Sequence, residues 1–85
     1  MFKKSRLTSK TPEKIAKRAR TLPDSDLTMW FDQAISSTGR SVTAWLRTND
    51  SSHIDEALLG SYAVMAIVEE IAIRNGVLDR ANVNK

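Results

Sequence analysis

Few side chains in this 85-residue chain could do chemistry, and their spacing keeps them apart. His53 is the single histidine and stands close in sequence to Asp50, Asp55 and Glu56. Neighbouring positions of a helix point in different directions, so these groups would not converge on one metal ion. The chain has no cysteine, which excludes thiolate sites and disulfides. We therefore expect His53 to be an exposed first-turn residue, and we expect no metal and no cofactor.

Two acidic pairs could be functional, but each has a simpler explanation. Asp24 and Asp26 lack the glycine and the bidentate glutamate that complete a calcium loop, so helix capping explains them. Glu69 and Glu70 could form a general acid–base pair, but adjacent helix residues point about 100° apart, which favours a solvated edge. The sequence contains no phosphate-binding loop, nucleophile elbow or dinucleotide fingerprint. We expect that the protein is not an enzyme.

Basic residues are concentrated at the start of the chain. Residues 1–20 carry eight Lys and Arg and one Glu, a net charge of +7, whereas residues 21–85 carry five basic and nine acidic residues, a net charge of −4. Clustered cations are suited to contact with phosphates. Alternatively, these cations contact an acidic protein surface, or they contact solvent alone. The residues predicted to contact an anionic partner or nucleic acid are Lys3, Lys4, Arg6, Lys10, Lys14, Lys17, Arg18 and Arg20.

The basic residues lead into a short first helix. Residues 1–10 show no hydrophobic period and are predicted to be a flexible basic arm. Thr11 can cap a helix that has Pro12 in its first turn, and the residue before Pro23 avoids helical dihedral angles. These signals predict a helix over residues 12–21.

Two long helices follow, which makes the predicted fold all-α. Apolar residues recur at steps of three and four from Leu27 to Leu46, the spacing of one helix face. The sequence from Ser52 to Asp55 fits a capping box, and the next helix ends where Gly76 can take a left-handed conformation. The predicted ranges are helices over 25–47 and 53–75, a single helical domain over 11–76 and a polar tail over 77–85.

The turn between the long helices is short and polar, so they are predicted to form an antiparallel hairpin. In this arrangement Gly39 and Gly60 lie at the same height and permit close approach of the two backbones. Each long helix carries more apolar surface than one partner helix covers, which predicts dimerisation into a bundle. Trp45 is the first choice for an interface residue because it lies near the turn. The residues predicted to serve the protein interface are Trp30, Trp45, Tyr62 and Met65.

No apolar stretch reaches the ~18 residues that span a bilayer, and the chain does not open on a secretory signal pattern. We therefore expect a cytoplasmic protein, although an organellar transit peptide would also be basic at its start. The expected function is that of a helical protein–protein interaction or assembly module whose basic arm contacts an anionic partner. The alternative is a nucleic-acid-associated accessory protein that binds the phosphate backbone through residues 1–20.

Overall fold

The computed structural model describes residues 10–80, and this part of the chain forms three helices and no strand. The helices are α1 (Thr11–Thr21), α2 (Asp24–Thr48) and α3 (Ser51–Arg74). The all-α prediction is confirmed for the described residues. Most of the predicted arm, with Lys3, Lys4 and Arg6, lies outside them, as do residues 81–85 of the predicted tail.

The helix starts differ from the predicted caps. Lys10, not Thr11, is the N-cap residue of α1. α3 begins two residues earlier than predicted, because the Asp50 carboxylate accepts a hydrogen bond from the Ser52 N–H at 3.0 Å. The capping box predicted to start at Ser52 is therefore wrong. Aspartate caps a helix as well as serine does, and Asp50 comes first in the chain.

The ends of the long helices use left-handed residues. Asn49 has φ 56°, and its N–H donates to the Trp45 carbonyl at 2.7 Å where α2 ends. After α3, Gly76 has φ 76° and the N–H of Val77 donates to the Ala72 carbonyl at 2.8 Å. This is the hydrogen bond of a Schellman motif, in which glycine takes the left-handed position without steric cost.

α2 and α3 pack along each other, and only two residues join them, as expected for an antiparallel hairpin. Far from the connection, Arg74 contacts Asp24 at 2.7 Å. Midway along the pair, Gly60 lies against Thr38 and the Ala34 carbonyl. These contacts join residues early in α2 to residues late in α3, which is the order an antiparallel pair requires.

Close approach of the two backbones involves Gly60 but not Gly39. A Cβ built on Gly60 would collide with the Thr38 side chain and lie 3.4 Å from the Ala34 carbonyl oxygen. A Cβ built on Gly39 would meet nothing within 4 Å. The predicted pairing of the two glycines is wrong by one residue, because Thr38 faces Gly60 and Gly39 points about 100° away.

The core is thin, as a chain of this size allows. Among the described residues the large side chains that are fully buried are Leu27 and Ile67. Ala19 of α1 is 1% exposed and packs with them, so the short helix is docked on the packed pair of α2 and α3, which we call the hairpin. The other buried apolar residues are Ala34, Ala57 and Ala63.

Candidate interaction surfaces

α2 carries a line of exposed apolar side chains beside its buried line. Ile35, Val42 and Leu46 are 49%, 41% and 66% exposed. At about 100° per residue they lie roughly 60–140° around the helix from the buried line. The buried residues of α2 repeat every seven positions and are Leu27, Ala34 and Ser41.

α3 continues this apolar surface on the same side of the hairpin. Successive residues of α2 and α3 progress around the two helices in opposite senses when both are viewed from one end, because the helices run in opposite directions. The side of α3 that is reached by going forward in sequence from buried Ile67 therefore adjoins the exposed side of α2. Its large apolar side chains are 40–58% exposed and lie from about 40° to 180° around α3 from Ile67, in the order Ile71, Val68, Met65 and Leu58. We call the combined surface the uncovered face; it consists of Ile35, Val42, Leu46, Leu58, Met65, Val68 and Ile71.

α1 lies on the other side of the hairpin. Ile15 and Arg18 of α1 line a groove with Trp30 and Ser37 of α2. Trp30 and Ser37 lie about 120–140° around α2 from Val42. The groove also includes residues on the side of α3 remote from the uncovered face, namely Leu59 and Ala63. The short helix therefore covers one side of the hairpin and leaves the opposite side open.

The uncovered face is apolar in its seven defining side chains, and one charged residue, Glu69, borders it. Between Ile35 and Leu46 the only charged residue is Arg40, which points about 120–160° away from the exposed line of α2. Between Leu58 and Ile71 the charged residues are Glu69 and Glu70. Glu70 points away from the face, whereas Glu69 lies about 20–40° around α3 from Leu58 and Met65 and marks the edge of the apolar stripe. An apolar surface this continuous is typical of an interface between proteins, because soluble monomers rarely expose large apolar patches.

The four predicted interface residues are separated by the fold. Met65 is 58% exposed and belongs to the uncovered face. Trp30 is half-buried and packs against the Ala19 cluster on the side that α1 covers. Trp45 and Tyr62 are also half-buried. Near the turn, Leu46 is 66% exposed, so Leu46 is more accessible to a partner than half-buried Trp45.

The basic residues of α1 form one surface. Lys10, Lys14, Lys17 and Arg20 are exposed and lie on the side of the helix away from buried Ala19. A glutamate shares this surface, because Glu13 contacts the Lys17 ammonium at 3.8 Å, both side chains being exposed. We call these four residues the basic side of α1.

Arg18 has a different position from the other predicted cations. Its guanidinium lies 4.4 Å from the centroid of the Trp30 ring. A cation over an indole face is attracted by the ring quadrupole. Arg18 thus faces α2 and helps to hold α1 on the hairpin, whereas the basic side points outward.

Glu70 is buried, which contradicts the solvated edge predicted for the Glu69-Glu70 pair. It is 4% exposed. Both terminal nitrogens of Arg80 donate to its two carboxylate oxygens at 2.9 Å, and Nε of Arg74 donates at 2.9 Å. A buried carboxylate requires such paired, charge-assisted hydrogen bonds to offset its loss of hydration.

These contacts set the ionisation of the cluster. The hydrogen bond from Arg80 lowers the pKa of Glu70 below its usual value, with a further contribution from Arg74, although burial acts in the opposite direction. The hydrogen bond to Glu70 likewise raises the pKa of Arg80. The sequence holds a signal that could have found this site, since Ala63, Ile67, Glu70 and Arg74 follow the spacing of one buried stripe.

Arg74 joins all three helices at one end of the molecule. Besides Glu70, it contacts Asp24 at the start of α2 at 2.7 Å. Its Nη2 donates to the carbonyls of Leu22 at 2.6 Å and Ala19 at 3.3 Å. The last carbonyls of a helix lack intrahelical partners and carry the negative end of its dipole, so a guanidinium there fixes where α1 ends.

The residues considered above for catalysis or metal binding do not come together in one site. The His53 side chain is 29% exposed rather than fully exposed, and its Nδ1 lies 3.4 Å from a Glu56 oxygen. Over residues 10–80 no group of three His, Asp or Glu side chains could hold a metal ion. No helix in that range is long and apolar enough to cross a membrane.

No family model, no curated protein and no solved structure matches this chain.

Proposed function

We propose that the chain is a non-enzymatic helical interaction or assembly module of the cytoplasm. The uncovered face binds protein, and the basic side of α1 contacts an anionic partner. The observation that carries the proposal is the continuous, exposed apolar surface on the side of the hairpin that α1 does not cover. Such surfaces are stabilised by burial against another apolar surface at about 25 cal/mol per Å².

Site-specific photo-crosslinking in the cells that make the protein tests this proposal. A photoreactive amino acid replaces Met65, which lies on the uncovered face, or Met29, an exposed methionine of α2 that lies about 120° away from the exposed line of that helix. We expect a discrete protein adduct from position 65 and none from position 29. Equal adducts from both positions, or none from position 65, would contradict the proposal.

A second candidate function is binding of nucleic acid through the basic side of α1. The observation that favours it is the outward position of Lys14, Lys17 and Arg20 together on one helix surface. Cations arranged along a helix can follow a phosphate backbone, and each contact makes affinity more dependent on salt. Deleting residues 1–20 would not test this cleanly, because the deletion removes Ala19 from the core.

Charge-neutralising substitutions in the full chain provide the test. The triple variant Lys14→Gln, Lys17→Gln and Arg20→Gln is compared with a control, Arg40→Gln and Arg47→Gln, on exposed positions of α2. Affinity for a generic duplex is measured from about 50 to 200 mM salt. If α1 binds phosphates, the logarithmic salt slope of the triple variant falls by roughly two to three, and the control keeps the wild-type slope. No salt-dependent binding by wild type would exclude nucleic acid as the anionic partner.

A further inference from the structure

We infer that a second copy of this chain occupies the uncovered face. Two hairpins then form a four-helix bundle, and the two α1 helices lie on opposite outer sides of it. This inference rests on the proposed interaction module, to which it adds the identity of the protein partner and the geometry of the complex.

The rest of the chain does not match the uncovered face. Only residues 1–9 and 81–85 lie outside the described residues. Three of the first nine residues are cationic, and four of the last five are Asn, Lys or Ala. Cationic side chains would lose hydration on an apolar surface without gaining a partner. The surface also extends about 20 Å along each helix, which requires a second apolar helical surface of similar length.

The face is complementary to itself. In a two-fold interface the same patch is contributed by both copies, so a charged residue near the two-fold axis meets its own like charge. The centre of the uncovered face is apolar in both spans, and the charge next to it, Glu69, lies at its edge, so like charges do not meet at the centre. Leu27 and Ile67 are the only large side chains fully buried within residues 10–80. Pairing two copies buries a further set of large side chains on each, which compensates for the thin core.

The position of α1 fixes the geometry of the pair. Because α1 and the uncovered face lie on opposite sides of the hairpin, a dimer formed through that face has two hairpin layers between its α1 helices. The four layers have three spacings of about 8–10 Å each, so the two α1 axes are separated by about 24–30 Å. The two basic sides then point in opposite directions, and the dimer can bridge two anionic partners rather than hold one with both helices.

Sedimentation equilibrium of the full chain tests the identity of the partner. Wild type is expected to have twice the 9.5 kDa mass of one chain at micromolar concentration. Met65→Glu places a carboxylate in each half of the interface and is expected to weaken self-association by roughly 100-fold or more. Met29→Glu is the matched control, since Met29 is 62% exposed and Met65 58% exposed, and is expected to remain dimeric.

Spin-label distances test the geometry. The chain has no cysteine, so Lys17→Cys gives a single labelling site on the exposed surface of α1. The two labels of a dimer are expected to be about 30 Å apart or more. A separation below about 20 Å would show that the copies meet through their α1 sides, and it would overturn the inference.

The outcomes separate this inference from the proposed function. A monomeric wild type, or a dimer weakened equally by Met29→Glu and Met65→Glu, overturns the second copy as the partner. If position 65 still gives a photo-adduct whose mass differs from two chains, the interaction module stands and its partner is another protein. If position 65 gives no adduct at all, both the inference and the module are wrong.

Discussion

Glu70 lies buried between two guanidinium groups, so its charge is coupled to folding. Glu70→Gln removes that charge and leaves Arg74 and Arg80 without their shared partner. We expect the variant to lose about 2 kcal/mol of unfolding free energy, measured by urea denaturation. Glu69→Gln is the matched control and is expected to change stability by less than about 0.5 kcal/mol. Equal effects of the two substitutions would contradict the role of the buried cluster.

The pH dependence of stability follows from the same contacts. The pKa of Glu70 is lowered by its hydrogen bonds in the folded state, so the folded protein binds the proton less readily than the unfolded chain. Its contribution is fully present above the ordinary carboxyl pKa of about 4.3 and is lost as pH falls through the lowered folded value. Urea midpoints measured from neutral pH into this acidic range should therefore fall less for Glu70→Gln than for wild type.

The buried cluster shows what single-residue reasoning from sequence omits. Two adjacent glutamates on a helix were interpreted as solvent-exposed. The three-residue spacing from Ile67 to Glu70 indicates instead that Glu70 lies on the buried side of α3. Arg80 could not be assigned as a partner from the pattern, because it follows a left-handed glycine that turns the chain back after α3. The contact between Arg80 and Glu70 therefore depends on the direction that the backbone takes at Gly76. Residue propensities do not predict that direction.

Gly39 and Gly60 are the same residue type in helix interiors, and opposite effects are expected on replacing them. Gly39→Ala adds a Cβ in open space and should stabilise the protein by about 0.5–1 kcal/mol, because alanine has the higher helix propensity. Gly60→Ala forces its Cβ against Thr38 and should destabilise by about 1–3 kcal/mol. Thermal unfolding of both variants provides the measurement. Thr38→Ala in the Gly60→Ala background should recover part of the loss.

At the scale of elements, Arg74 holds the end of α1 against the other two helices. Arg74→Ala removes these hydrogen bonds but no buried apolar side chain. We expect amide hydrogen exchange to accelerate in Thr11–Thr21 more than in the long helices, because a helix of this length is marginal without tertiary contacts. Arg47→Ala, in the last turn of α2, is the control and should leave α1 unchanged. Uniform acceleration in all three helices would argue against a local clamp.

The existence of the helices could be predicted more readily than their junctions. The steps of three and four from Leu27 to Leu46 indicated a long helix without reference to its partner. The start of α3 was misplaced because two acceptors, Asp50 and Ser52, compete for the same cap, and sequence alone does not rank them. The residue of α2 that lies opposite Gly60 depends on how the two connecting residues turn the chain. Thr38 lies there in the structure, whereas the sequence predicted Gly39.

At the scale of the whole molecule, the surplus of apolar surface was visible in the sequence, but its location was not. The side of the hairpin that α1 covers is chosen by contacts of Arg18 and Ala19 in α1 and of Arg74 at the end of α3, which lies 55 residues from Ala19 in the chain. Once that choice is made, Trp30 belongs to the covered side and Met65 to the open one. The predicted interface residues therefore divide between two surfaces with different roles.

Self-association through the uncovered face links stability to protein concentration. When two folded chains bind each other and unfolded chains do not, mass action raises the melting temperature as concentration rises. Wild type and Met29→Glu should therefore lose several degrees of melting temperature on dilution over about two orders of magnitude. Met65→Glu should melt at one temperature throughout that range, close to the wild-type value at high dilution, because Met65 is exposed within a single chain. A wild-type melting temperature that does not change on dilution would mean that the stable folded unit is one chain.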